Sequence, residues 1–181
     1  MRIVGGDFSG RRFNPPSGIP ARPTTDVAKE GLFNTLENMM DIEGIKTCDI
    51  FGGTGSISYE LASRGATDLT LIERDPTSIN FIRKTAKELF IDDKMTIIKG
   101  DVFKFIKQSR DQYDFIFAGP PYALQNIDDL PILVFEKNML APEGIFVLEH
   151  TPRNDYQQHP HFKKMKNYGT TVFSFFVQPG K

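Results

Sequence analysis

Lys46-Thr-Cys-Asp-Ile-Phe51, running into Gly52-Gly-Thr-Gly55, is the stretch that decides the fold of this chain. Its first six residues suit a short buried strand, and the glycines after them suit a tight turn. Ile57 to Arg64 then follows a helical pattern, with Gly65 placed to end it. The same unit recurs downstream. Leu69 to Glu73 reads as a second strand, and Pro76 fits the first turn of a helix whose inner face is Ile79, Ile82, Ala86 and Leu89. Met95 to Ile98, Tyr113 to Phe117 and Ile145 to Glu149 read as further strands, with helices over Phe103 to Lys107 and around Leu130 to Lys137 between them. Upstream, Thr24, Thr25 or Asp26 can cap a helix along which Val27, Leu32, Phe33, Leu36, Met39 and Met40 recur at helical spacing. Strands alternating with helices predict an α/β domain of parallel strands joined by right-handed crossovers.

The two ends depart from that rhythm. Residues 1 to about 24 form a turn-rich extension of Gly, Pro and Arg, and residues 25–181 form the domain. Phe162 to Tyr168 and Thr171 to Val177 flank Gly169 as a hairpin would, which places an antiparallel last strand in a mostly parallel, Rossmann-like sheet. That arrangement characterises class I methyltransferases. Phe173, Phe175 and Phe176 are assigned to the core and the sheet face, and Cys48 to the interior.

The 181 residues carry a formal net charge of −1, so contact with a polyanion must come from local patches. A single cysteine excludes an internal disulfide. With no apolar run long enough to span a bilayer or act as a signal, the expectation is a cytoplasmic protein without membrane contact. The pair His159 and His161 lacks a third ligand nearby, so no metal is expected.

In an open α/β sheet, ligands lie beyond the carboxyl ends of the strands, and polar signals fall there. Asp49 precedes Phe51, Gly53 and Gly55, where glycines allow close backbone approach and a carboxylate can meet a cationic ligand. Glu73, followed by Arg74, ends the second strand and can accept hydrogen bonds from a ribose diol. Asp101, followed by Val102, is either an acceptor for an adenine amino group or the cap of the next helix. Alone, the glycines could be an ordinary turn or part of a dinucleotide site, although Ser58 stands where the third glycine of that fingerprint belongs. Together these groups describe a pocket for an adenosine without phosphates and with a charged tail.

The fourth strand runs into Ala118-Gly119-Pro120-Pro121-Tyr122. Two prolines stiffen the backbone and aim the carbonyls before them. An aromatic side chain beside such acceptors can stack on an extruded base. Acceptors aimed at a planar amino group favour pyramidal nitrogen, whose lone pair can attack a sulfonium methyl. The reaction so described is methyl transfer from S-adenosylmethionine to an exocyclic amine.

Over nearly its whole length the chain resembles the RsmD-type methyltransferases. Met1-Arg-Ile-Val-Gly-Gly6, Gly10-Arg-Arg12 and Arg22-Pro-Thr24 match that family's opening, with Asp26, Glu30, Phe33 and Asn34 on the first helix. Asp49 to Gly55 resembles its cofactor loop, followed by Ser63-Arg-Gly-Ala66. Glu73 and Asp101 match its ribose and adenine positions. Pro120-Pro121-Tyr122 matches the last three members of its catalytic tetrapeptide. The resemblance implies methylation of guanine N2 in small-subunit ribosomal RNA, with ribosomal RNA or the small subunit as partner; the chain is expected to be a monomer. The family has an acid immediately before the two prolines, and this chain has Gly119. Losing a charged acceptor there costs on the order of a hundredfold in rate.

Arg2, Arg11, Arg12 and Arg22 face a single acid, Asp7, in the N-terminal zone, and are expected to contact RNA. Lys163, Lys164, Lys166 and Lys181 read as solvated surface. Two other functions remain open: adenine-N6 methylation of DNA or RNA, and a non-catalytic module that binds the cofactor and RNA in ribosome assembly.

Overall fold

Asp26–Met39 forms α1, capped by Thr25, whose side chain accepts a hydrogen bond from the Ala28 amide. The computed structural model describes residues 1–180, so Lys181 lies outside the described residues. From α1 the chain alternates β1 (Lys46–Ile50), α2 (Ser56–Ser63), β2 (Asp68–Glu73), α3 (Pro76–Glu88), β3 (Met95–Lys99), α4 (Val102–Gln108), β4 (Tyr113–Ala118), α5 (Asp129–Glu136) and β5 (Leu140–His150). The hairpin β6 (Phe162–Tyr168) and β7 (Thr171–Val177) closes the chain, turning at Gly169, whose φ of +67° favours glycine. Strand order in the single sheet is β3-β2-β1-β4-β5-β7-β6. β1 to β5 pair in parallel, and β7 is antiparallel to both β5 and β6. This is the class I S-adenosylmethionine-dependent methyltransferase sheet. Its order reverses at β1 and β4, the point where such sheets open a crevice.

Apolar clusters cover both faces. Cys48, Ile50, Ile116, Leu148 and Phe176 pack with α5, while Phe115, Phe117, Val147, Phe173 and Phe175 pack with Leu32, Phe33 and Leu36 of α1. Val27 does not join that face. It is 71% exposed, because at about 100° per residue it points away from Ala28, Leu32 and Leu36. β5 begins five residues earlier than its apolar run predicts. Leu140 pairs with Tyr113, and the chain then bulges through Glu143, at φ +64°, before Ile145 pairs with Phe115. The sheet ends at β3 on one side and at β6 on the other, and on β6 Lys163, Met165 and Lys166 are exposed and Lys164 is half-buried. Among the described residues no helix is long and apolar enough to cross a membrane.

The N-terminal segment packs on the domain. Residues 1–13 fold back on themselves, with Ile3 N donating to Arg11 O and Phe13 N to Met1 O, and Ile3 and Phe13 are buried against Tyr59 and Leu71. The anchor is Glu60 of α2, wholly buried, which accepts the amides of Val4 and Gly5 at 2.9 Å. It also pairs with Arg64 at 3.0 Å and with the buried Lys29 of α1 at 3.6 Å. Burial lowers the Lys29 pKa, and the Glu60 charge opposes that shift.

Candidate active site

The strand ends at the order reversal open into one cleft of about 570 Å³. The β1–α2 turn forms its floor. Phe51 holds φ +64°, a left-handed conformation uncommon for a side chain of its size, and Gly53 follows at +60°. Both line the cleft. Gly55, expected among the ligand-contacting residues, does not. It caps α2 at φ +84°, and a Cβ there would overlap the Tyr59 ring, so its glycine serves the turn and the packing of Tyr59.

Three carboxylates from successive strand ends reach the cleft: Asp49, Glu73 and Asp101. Asp49 is 1% exposed and accepts a 2.8 Å hydrogen bond from the Ser58 hydroxyl. Ser58, which reads in the sequence only as a departure from a dinucleotide fingerprint, is thus the donor that fixes this acid. Burial pushes the Asp49 pKa up to about 8, against the Ser58 hydrogen bond. Glu73 is held by main chain: Oε1 accepts from Gly53 N, and Oε2 from the amides of Arg74 and Asp75. Oε2 is thus filled by two amides, and the spare lone pair on Oε1 remains for a ribose hydroxyl. Asp101 does cap α4, accepting from Lys104 N at 3.0 Å through Oδ2, and it lines the cleft as well. Arg74 and Val102 complete this half.

The other half is formed by Gly119, Pro120, Pro121 and Tyr122. Tyr122 is half-buried. Its hydroxyl donates to Glu149 Oε2 at 2.8 Å and lies 3.1 Å from Thr171 Oγ1, and burial pushes its pKa up to about 12. The Arg22 guanidinium sits 3.6 Å from its ring centroid. Arg22, expected to contact RNA, therefore covers one face of the expected stacking platform. The other basic residues of the N-terminal zone lie outside the cleft. Arg2 pairs with Asp26 at 3.0 Å, Arg11 donates to the Glu88 carbonyl at 3.4 Å, and Arg12 is exposed with no side-chain partner among the described residues. The sequence reading placed neither the N-terminal strap, whose Arg22 was expected only at RNA, nor Glu149 in the lining of the cleft. Pro20, Ala21, Arg22 and Thr24 form a strap along the cleft, and Glu149, 9% exposed at the end of β5, opens onto it. A carboxylate closing a strand next to β4 was the signal for Glu149.

A family model described as conserved hypothetical protein 95 matches residues 1–177. The chain belongs to the conserved hypothetical protein 95 family. A relative in Haemophilus influenzae, named ribosomal RNA small subunit methyltransferase D, is 32% identical over 82% of this chain and 78% of its own length. Among solved structures, the Escherichia coli protein yhhF superposes with a TM-score of 0.86 at 25% identity, covering 100% of this chain and 99% of its own. A Salinibacter ruber RNA methyltransferase, solved with S-adenosyl-L-homocysteine, gives a TM-score of 0.66 at 19% identity over 88% and 95%. The last likeness speaks for the fold alone. For a member of the conserved hypothetical protein 95 family, the matched length includes the N-terminal strap and its arginines as well as the sheet.

Proposed function

We propose that this chain transfers a methyl group from S-adenosylmethionine to the exocyclic N2 amine of a guanine in small-subunit ribosomal RNA. One observation carries the reading: the acids at the ends of β1, β2 and β3 share a single cleft with the Gly119-Pro-Pro-Tyr122 loop. The donor set fits the cofactor. Asp49 suits a positively charged tail, Glu73 a ribose diol and Asp101 an amino group, while the basic side chains among the described residues of the lining are Arg22, which lies over the Tyr122 ring, and Arg74. When bound, the cofactor supplies a methyl carbon activated by positively charged sulfur. The chain's own residues do the rest. Pro120 and Pro121 fix the carbonyls before them as acceptors for the target amine, and Tyr122 offers a ring to the base. The name of the Haemophilus relative supports ribosomal RNA as the substrate, and the exposed Arg12, with Arg11 beside it, supports contact with phosphates.

The test is radiolabelled methyl transfer from S-adenosylmethionine to small ribosomal subunits, beside adenine-containing DNA. Label is expected in guanine, slowly with the native chain and about tenfold faster with Gly119→Asp. The backbone at Gly119 is open to other residues, and an added Cβ meets only the Phe117 ring edge closely, at 3.0 Å. Label in adenine would support the adenine-N6 alternative. Cofactor binding without any transfer would support the non-catalytic one. An unimproved Gly119→Asp chain would remove the case that Gly119 limits the rate.

A second measurement addresses the RNA surface. Arg11→Ala with Arg12→Ala is expected to weaken RNA binding and to flatten the dependence of log affinity on log salt by about two phosphate contacts, leaving cofactor affinity unchanged. An unaltered salt slope rejects the assignment.

A further inference from the structure

Gly119 removes a carboxylate from the loop where the target amine must sit, but it does not leave that place without one. The parallel register pairs Ala118 of β4 with Leu148 of β5, so Gly119 and Glu149 come next to one another at the mouth of the sheet. A Cβ built on Gly119 would stand 3.8 Å from Glu149 Oε1. Among the described residues no other acid approaches that position so closely, and Glu149 lines the same cleft as Pro120, Pro121 and Tyr122. Resting on the methyl-transfer reading, we propose that Glu149 is the acceptor carboxylate for the target amine in this chain, reaching from β5 into the space vacated by the missing side chain at position 119.

The surroundings of Glu149 suit this task. Thr24 Oγ1 donates to Oε1 at 3.3 Å and Tyr122 to Oε2 at 2.8 Å, so the carboxylate is held in one orientation while Oε1 keeps a free lone pair. The groups facing it are Arg22 and Thr24 of the strap and Gly119 and Tyr122 of the loop after β4, with Thr171 of β7 against the tyrosine hydroxyl. Burial raises its pKa, opposed by the Tyr122 hydrogen bond and the Arg22 charge. As the nitrogen–methyl bond forms and the sulfur–methyl bond breaks with its electron pair left on sulfur, the nitrogen sheds one proton. Glu149 accepts the amine's hydrogen bond beforehand and that proton afterwards, passing it to water at the cleft mouth. A carboxylate with a raised pKa is the better proton acceptor of two otherwise equal ones.

The experiment is a cycle of four chains: native, Glu149→Gln, Gly119→Asp and the double variant, each assayed for methyl transfer to small ribosomal subunits and for cofactor affinity by calorimetry. Glu149→Gln should lower transfer about a hundredfold in the native background. In the Gly119→Asp background, where the loop again carries its own acid, the loss should fall below about fivefold. Cofactor affinity should stay within about twofold throughout, since Glu149 lies in the other half of the cleft. Glu149→Asp, which keeps the charge but retracts it, should lose less than Glu149→Gln. The native rate should also rise with pH through a group titrating above the ordinary carboxylate range. A carbon-13 titration of the Glu149 carboxyl without cofactor should give the same midpoint, and Glu149→Gln should abolish that limb. Equal losses in both backgrounds would reduce Glu149 to a support for Tyr122 and Thr24 and overturn the proposal. Activity confined to chains carrying Gly119→Asp would overturn it too, while leaving the methylation reading intact. Four chains that bind cofactor yet label no RNA would sink that reading itself, and this proposal with it.

Discussion

Replacing Asp49 with Asn should weaken S-adenosylmethionine binding by about a hundredfold while making the cofactor-free protein more stable. Both effects come from one buried carboxyl. In the unfolded chain Asp49 titrates near 3.8, and in the fold at about 8, because burial disfavours its charge. The stability linked to this group is thus complete below the lower value and is lost as pH rises towards the higher. At pH 7 the folded cleft either keeps the acid protonated or carries an unneutralised charge, and Asn has neither cost. Its side-chain oxygen can still accept from Ser58, so the turn survives the change. The gain should read as a rise of several degrees in melting temperature without cofactor. A cationic ligand reverses the balance by favouring the ionised form, so binding at pH 7 expels a proton. Calorimetry in two buffers of different ionisation enthalpy should find close to one proton released per cofactor bound by the native chain and none by Asp49→Asn. Unchanged affinity, or binding without proton release, would show that Asp49 does not meet the charged tail.

Glu60→Ala should cost about 3–5 kcal/mol of stability. Lys29, 1% exposed, would lose the carboxylate that opposes its desolvation and have to carry an unpaired charge or give up its proton, and the Val4 and Gly5 amides would lose their acceptor. In a chain of this size that is a fall of roughly 10 °C in melting temperature. Denaturant melts should show the loss as a lower midpoint at nearly constant slope. A change under about 1 kcal/mol would mean that water reaches Lys29 and that the pair is not buried in solution.

The two experiments bear on different levels of what the sequence makes legible. Strand–turn–helix units declare themselves through neighbouring residues, so β1 with its glycines, β2 with Glu73 and the hairpin around Gly169 fall where the periodicity places them. Val27 shows the limit of that method, since an apolar residue one step off the helical face counts towards a pattern it does not share. The bulge in β5 is likewise invisible in its apolar run, because its pairing is dictated by Tyr113 on another strand. The site divides the same way. Acids at strand ends can be read locally, but the burial that shifts Asp49 and the donor role of Ser58 depend on how α2 seats on β1. Glu149 is hardest of all. Its partner Gly119 lies thirty residues away in sequence, and only the parallel register of β4 and β5 brings the two side by side. Arg22 has the chemistry of a phosphate contact, but folding puts it on an aromatic face.

β6, one of the two strands at the ends of the sheet, leaves one row of its main-chain amides and carbonyls without a partner in the sheet. Lys163 and Lys166 stand in the open there, with Lys164 between them. A second copy approaching strand to strand would bring this row of like charges against its own image, and ammonium groups left unpaired that close together repel. Three lysines on the seven residues of this strand thus disfavour the pairing of two such edges, in a chain whose overall charge is almost balanced.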